Sequence, residues 1–375
     1  MYWRKHLSLL SSLVFPAVLL AESTQDKHYV ILDNDWETVG FVPFLTALDA
    51  GVEVLGLTTV TGDTWQRQCA MHAVATLELG NLSCIPVFQG PVMPLVNTPQ
   101  RLQAWQGLHG HIPYQGAFAP QNKTAEDEGS DPSGGDDPNR IVKGAFFEGF
   151  PTGTPNETTN AAEFLVDMVN KYPGQISILA AGPLTNIALA VRLDSTFASK
   201  TKSLVIMGGY LDFGLRGAIG GERQTNLYDD INFRIDPEAA KIALNAGFPS
   251  LTIAGNVALQ VIATPEFVKE VYDEVKNPYT ELFFQHYMTG MPFWDETAAL
   301  LMVEPSISIN QTTLYVDVDT AFDSPFYGDL VVYHEEFAPK HAGKAVYVNE
   351  IDATELKKRI KHVLQYPKSC KDFTN

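Results

Sequence analysis

Two aspartates separated by one residue, Asp33 and Asp35, stand directly behind an apolar, β-branched run, Tyr29–Leu32. Two acids in that position are costly to bury unless a partner compensates their charge. Polar and small residues recur behind other such runs. Thr61, Gly62 and Asp63 follow Val52–Val60, and Ala180, Ala181 and Gly182 follow Ile176–Leu179. Gly208 and Gly209 follow Leu204–Met207, and Gly255 and Asn256 follow Leu251–Ala254. If the runs are parallel strands, all five tails fall at one sheet edge, where open α/β sheets bind ligands. Three carboxylates in one crevice repel one another, and a hard cation such as Ca²⁺ relieves that repulsion. An Asp behind a strand also commonly caps the next helix. For Asp63 taken alone the cap is the better reading, whereas Asp33-Asn34-Asp35 together point to a site.

The elements that must position these residues read as an alternation. Phe41–Leu48 and Gln66–Leu79 have the pattern of helices, and Ile85–Phe88 that of a third strand. Leu184–Arg192 and Pro237–Asn245 are helical, the second with Asp236 as its cap. Pro265–Val303 reads as helices, Ile307–Val348 as further strand-like runs, and Ala353–Leu364 as a closing helix. This predicts an α/β protein with an open, mainly parallel (mixed) sheet flanked by helices. About residues 116–159, rich in Gly, Pro, Asp, Asn and Thr, the alternation stops. That stretch is expected to be a long surface loop within a single domain over residues 22–375.

The chain carries 26 basic and 44 acidic residues among 375, a formal charge of -18. An acidic surface repels phosphate backbones, so polymeric nucleic acid is excluded as a partner, while a small neutral ligand is not. Arg4, Lys5 and His6 before the apolar Leu7–Leu20 and the small Ala21 read as a signal peptide over residues 1–21, too short and interrupted for a membrane span. Asn81, Asn122, Asn156 and Asn310 are N-x-Ser/Thr acceptors, which agrees with secretion. Cys69, Cys84 and Cys370 are too few for a disulfide framework and allow one bridge plus one free thiol.

Six blocks in order give the chain a resemblance to the inosine–uridine-preferring nucleoside hydrolases from Tyr29 to about Leu364. They are Asp33-x-Asp35, Val54–Val60 with Gly62, Ile85–Gly90 with Pro94–Val96, Gly182–Ala188, Asn232 with Asp236–Ala240, and Asp295. The resemblance implies a ribonucleoside N-glycosidase releasing ribose and free base. It implies Ca²⁺ that binds the ribose diol and an activated water, with Asp35 both a calcium ligand and the general base. Asp33, Asp295 and the backbone carbonyl of Ala181 complete the implied metal set, and Asp230, Asn232, Asp63 and Asn186 the substrate set. The implied partner is a small nucleoside, and a homo-oligomer is compatible with the fold.

Departures from the family's pattern cluster at the same place. Val39 and Gly40 stand where the family has two further aspartates, one for ribose and one for calcium. Asp63 replaces an Asn, Asp230 a Glu, and Trp294 the His that often precedes the late Asp. Three accounts follow: Asp63 or Glu37 supplies the lost charge, the metal binds more weakly, or the chain is a catalytically impaired secreted binding or effector protein. Trp294 can stack on a departing base but cannot donate a ring proton as His does, and it also suits a core. His109 and His111, in a Gly-flanked loop, could reach a leaving group or simply face solvent.

Overall fold

The computed structural model describes residues 28–124, 134–135, 137–211 and 230–372. The expected signal peptide and the acidic centre of the 116–159 stretch lie outside them. Nine strands form one sheet: β1 (Tyr29–Asn34), β2 (Glu53–Thr59), β3 (Val87–Gln89), β4 (Ile176–Ala180), β5 (Ser203–Met207), β6 (Leu251–Ala254), β7 (Ser308–Val318), β8 (Leu330–Tyr333) and β9 (Gly343–Ile351). Their order is β3-β2-β1-β4-β5-β6-β9-β7-β8. Every pairing from β3 to β9 is parallel, and β7 runs antiparallel to β8 and β9. The expected open, mainly parallel, mixed sheet is the one observed.

All six residues of β1 are buried. Val30 and Leu32 enter one hydrophobic core and Tyr29 and Ile31 the other. Alternate side chains of a strand point to opposite faces, so a strand covered on both sides reads as one continuous apolar run. The helices Val42–Asp49, Gln66–Leu79, Pro265–Glu274, Pro278–His286, Trp294–Val303 and Ala353–Gln365 fill the first core. Ala161–Lys171, Thr185–Leu193 and Pro237–Leu244 fill the second. Asp236 caps the last of these as expected, its carboxylate accepting from the Ala239 N–H at 3.1 Å.

Strand order reverses at β1, with β2 and β3 on one side and β4 to β6 on the other. That is the switch point at which the connections on either side diverge and leave a crevice beyond the strand ends. The 116–159 stretch is irregular, but it is not merely a surface loop. Ala117, Phe118, Ala145 and Phe146 are buried in it. Phe146 stacks on His72 at 4.1 Å, and Glu148 pairs with His72 Nδ1 at 2.5 Å and accepts from Thr38 Oγ1 at 2.8 Å. Composition marks irregular backbone; it does not mark exposure. Cys84 and Cys370 form a disulfide, while Cys69 is free and buried.

Candidate active site at the carboxyl edge of the sheet

A cavity of about 1060 Å³ opens over the carboxyl ends of the central strands. Asp35 lines it from the end of β1, Asp63 from behind β2, Ala181 from behind β4 and Asp230 and Asn232 from behind β5. The N-terminus of the Trp294–Val303 helix adds Trp294, Asp295 and Glu296. Residues more than 200 positions apart thus meet because each follows or precedes a regular element at the same edge.

Hydrogen bonds fix the acids. The Asp63 N–H donates to Asp35 Oδ2 at 2.7 Å. Asn34 accepts from the Asp35 backbone N–H at 2.9 Å and donates through Nδ2 to the Asp295 carboxylate at 2.9 Å, tying the Asp35 backbone to Asp295 through one side chain. Glycines make room for Asp35. A Cβ on Gly62 would lie 1.9 Å from Asp35 Oδ2, and one on Gly182 would lie 2.8 Å from Oδ1. Asn232 Nδ2 donates to the carbonyls of Ala181 and Met207, both at 3.1 Å, which leaves its amide oxygen for a ligand. Asp230 accepts from the N–H groups of Gly209, Tyr210 and Phe233.

The wall is strongly acidic. Among its described residues there is no Lys, Arg or His. Burial raises the Asp35 carboxyl well above the usual carboxylate range, and the charges of Asp63 and Asp295 raise it further. Burial brings Asp63 to about 6, partly offset by the Tyr114 hydroxyl. Asp295 is raised by burial and by Glu296, and Glu296 itself reaches about 7 through burial. These donors are all oxygens and their charges oppose one another, the chemistry a hard cation suits. Among the described residues no three acids, histidines or cysteines close up into a ready-made cage. A hard cation held here would have few protein ligands.

Not every expected residue faces the cavity. Asp33 is fully buried below it, where Oδ1 accepts from Thr58 Oγ1 at 2.5 Å and Asn186 Nδ2 at 2.7 Å and Oδ2 has no partner. Asn186 also donates to the Thr59 carbonyl at 2.9 Å, so it braces β1 and β2 and does not reach a substrate. His109 ends the Pro99–His109 helix against Trp105, with ring centroids 5.1 Å apart, and is not part of the cavity wall. His111 is exposed and bonded to Gln106 at 3.0 Å. Trp294 does line the cavity, with no hydrogen-bond partner for Nε1. Sequence reasoning missed Asn34 as a link, and Tyr114, Tyr287 and Glu296 as wall residues. The Tyr287 hydroxyl donates to Glu296 at 3.0 Å.

A sequence model described as inosine–uridine preferring nucleoside hydrolase matches residues 30–358. The chain belongs to this family. It is 33% identical to an uncharacterized protein of Schizosaccharomyces pombe, over 96% of this chain and 91% of that one. It is 31% identical to a probable uridine nucleosidase of Oryza sativa subsp. japonica, over 65% of this chain and 64% of that protein. Among solved structures, a plant nucleoside hydrolase superposes with a TM-score of 0.68 at 21% identity, covering 91% of this chain and 99% of that one. Membership carries with it hydrolysis of the N-glycosyl bond of small nucleosides as the reaction class.

One consequence of the buried acids concerns stability. Burial raises Asp236 and Asp33 to about 6, and both are fully buried. A carboxyl whose folded pKa is raised binds its proton more tightly folded than unfolded, so its contribution is full below about 4 and lost as pH rises through about 6. Each such group is worth at most roughly 3 kcal/mol over that window. Without divalent ions the melting temperature is expected to rise as pH falls from 7 to 5, and less so in Asp236→Asn. A thermal scan that is flat, or that falls toward pH 5, contradicts this.

Proposed function

We propose that the protein is a secreted ribonucleoside hydrolase in which Asp35 is the general base. The observation that carries this is the Asp35 carboxylate, fixed by the Asp63 N–H and enclosed by Gly62 and Gly182 at the switch point. Asp35 accepts a proton from the attacking water, and a base with a raised pKa suits work near neutral pH. Water adds at C1′ while the bond to the base nitrogen breaks, its electron pair leaving with the base, through an oxocarbenium-like sugar as in glycoside hydrolysis generally. Asn232 and Asp230 hold sugar hydroxyls. Trp294 offers the departing base an aromatic face. Asp35, Asp295 and the Ala181 carbonyl would hold Ca²⁺, which when bound supplies positive charge for the sugar diol and for lowering the pKa of water. Asp33 braces the end of β1, two residues before Asp35, through Thr58 and Asn186.

Product analysis tests the reaction class. A nucleoside incubated with the protein yields free base and unphosphorylated ribose in equal amounts, with no need for inorganic phosphate. Ribose 1-phosphate as the product would replace hydrolysis by phosphorolysis.

A second reading, a binding protein on this fold, has one observation in its favour. Val39 and Gly40 line the cavity where the resemblance puts two acids. Gly40→Asp distinguishes the readings. Gly40 is not in the left-handed region, and a Cβ there would lie 3.3 Å from the Glu37 nitrogen, a contact that needs only slight relaxation. Calorimetry is expected to find Ca²⁺ bound by the parent and bound at least about tenfold more tightly by Gly40→Asp, the effect of roughly 1.4 kcal/mol. No binding by either folded protein favours the second reading.

Secretion rests on the Arg4–Ala21 pattern, the Cys84–Cys370 bridge and the acceptor asparagines. Asn81, Asn122 and Asn310 are exposed, whereas Asn156 is half-buried and its Oδ1 accepts from Thr158 and Thr159. Peptide mapping is expected to find glycan at one or more of the first three, none at Asn156, and a mature chain starting near Glu22. A glycan-free chain retaining Met1 contradicts it.

A further inference from the structure

The turn between β1 and the Val42–Asp49 helix is gripped from behind. Glu37, Val39 and Gly40 of this turn line the cavity, but Thr38 between them does not. Its side chain is buried against the 143–150 segment, where Oγ1 donates to the Ala145 carbonyl at 2.9 Å and to Glu148 Oε2 at 2.8 Å. One hydroxyl proton serves both acceptors. The residues on either side of Thr38 therefore take their places in the wall from where this one hydroxyl is held.

Glu148 is held in its turn. Its side chain is wholly buried, and Oε1 lies 2.5 Å from His72 Nδ1. Gln68 gives that bond its direction. The Val142 N–H donates to Gln68 Oε1 at 3.0 Å and the Val142 carbonyl lies 3.4 Å from Nε2, so turning the amide over would set N–H against N–H. Gln68 Nε2 is thus a donor, and it meets His72 Nε2 at 3.0 Å. That ring nitrogen accepts, the ring proton sits on Nδ1, and His72 donates to Glu148. The buried carboxylate is compensated by the donors His72 and Thr38, and a buried charge that loses a donor is costly. The segment has anchors of its own besides these bonds: Phe146 stacks on His72 at 4.1 Å and Phe147 on His286 at 4.0 Å. Asp35 is pinned separately. Trp36 is buried behind it with Nε1 donating to the Thr58 carbonyl at 3.0 Å, and the Asp63 N–H holds the Asp35 carboxylate.

We propose that Thr38 and Glu148 are positioning residues for the substrate: without lining the cavity, they set the 37–40 turn from behind and with it the wall that Glu37 and Val39 present to a bound nucleoside. The inference rests on the proposed function, which makes a nucleoside the occupant of this cavity. Because Trp36 separates the turn from Asp35, the clasp governs how well the substrate is held and leaves the general base in place. Its loss is therefore read in KM and not in kcat.

Steady-state kinetics on one nucleoside tests this in the parent, Thr38→Val, Thr38→Ser and Glu148→Gln, at a temperature where circular dichroism shows each folded. Thr38→Val keeps the branched shape and loses the hydroxyl. It is expected to raise KM about tenfold, as the loss of one hydrogen bond to a charged group allows, with kcat within about threefold of the parent. Thr38→Ser returns the donor and brings KM back to within about twofold. Glu148→Gln offers one oxygen to two donors and is expected to raise KM as Thr38→Val does. A clasp that only stabilises the fold would lower the melting temperature and leave KM at the parent value. That result overturns the positioning role, as does a raised KM that Thr38→Ser fails to restore. Unfolding of both Thr38→Val and Glu148→Gln overturns it too, because the clasp is then a requirement for folding. If the parent cleaves no nucleoside, the proposed reaction fails, and calorimetry with the same nucleoside judges the positioning role. A Kd raised about tenfold in Thr38→Val and restored in Thr38→Ser sustains it. Equal Kd values, or no binding by the parent, overturn it.

Discussion

Asp35→Asn is expected to lower ribose release by about 10² to 10⁴, the usual worth of a general base, without unfolding the protein. The Asn keeps the shape between Gly62 and Gly182 and can still accept from the Asp63 N–H through its oxygen. It cannot take a proton from water. Stability supplies a second, independent readout. Burial and the charges of Asp63 and Asp295 make the ionised Asp35 unfavourable in the metal-free protein, so removing that charge should leave the melting temperature unchanged or higher. A metal-free Asp35→Asn that melts well below the parent means the carboxylate is structural. Activity within a few-fold of the parent removes the assigned role.

Gly62→Ala is the second large effect. Its Cβ would sit 1.9 Å from Asp35 Oδ2 and 2.6 Å from Cγ. Such a contact cannot be accommodated without moving the carboxylate, and displacing a reacting group by an ångström can cost about 10²-fold in rate. Overpacking adds a stability loss of roughly 1–3 kcal/mol. Gly107→Ala is the matched control. An added Cβ there meets nothing within 4 Å, on the exposed face of the Pro99–His109 helix, and Ala is the better helix former by about 1 kcal/mol. The pair is checked by kcat and thermal melting side by side. A Gly62→Ala protein as active as Gly107→Ala contradicts the tight enclosure of Asp35.

Much of this arrangement is legible in the chain. The run Tyr29–Leu32 followed by Asp33-Asn34-Asp35 defines a buried strand and what stands at its end, and the other strand tails gather at the same edge for the same reason. Asp236 reads as a helix cap and is one. What could not be read depends on contacts between distant residues. Asn34 bonds to Asp295 across 261 positions, and no local pattern announces that. Asp33 and Asp35 look equivalent in sequence, yet Asp33 is still inside β1 and buried among the strands, whereas Asp35 stands past the strand end, where the backbone has left the sheet and its carboxyl enters the cavity. His109 sits among glycines as an active-site loop residue would, but its ring packs on Trp105. Glu148 falls in a stretch whose composition suggests solvent, while its carboxylate ties His72 to Thr38 in the turn that carries Val39 and Gly40.

The central claim, that this acidic cavity hydrolyses the N-glycosyl bond of nucleosides around a divalent cation, has one most direct test. Ribose release by the purified mature protein is measured across purine and pyrimidine ribonucleosides at neutral pH, with added Ca²⁺ and after chelation. The account predicts release from at least one nucleoside with Ca²⁺, lost on chelation and restored by returning the ion. No release from any nucleoside by folded, Ca²⁺-supplied protein, or release that chelation leaves untouched, would contradict it.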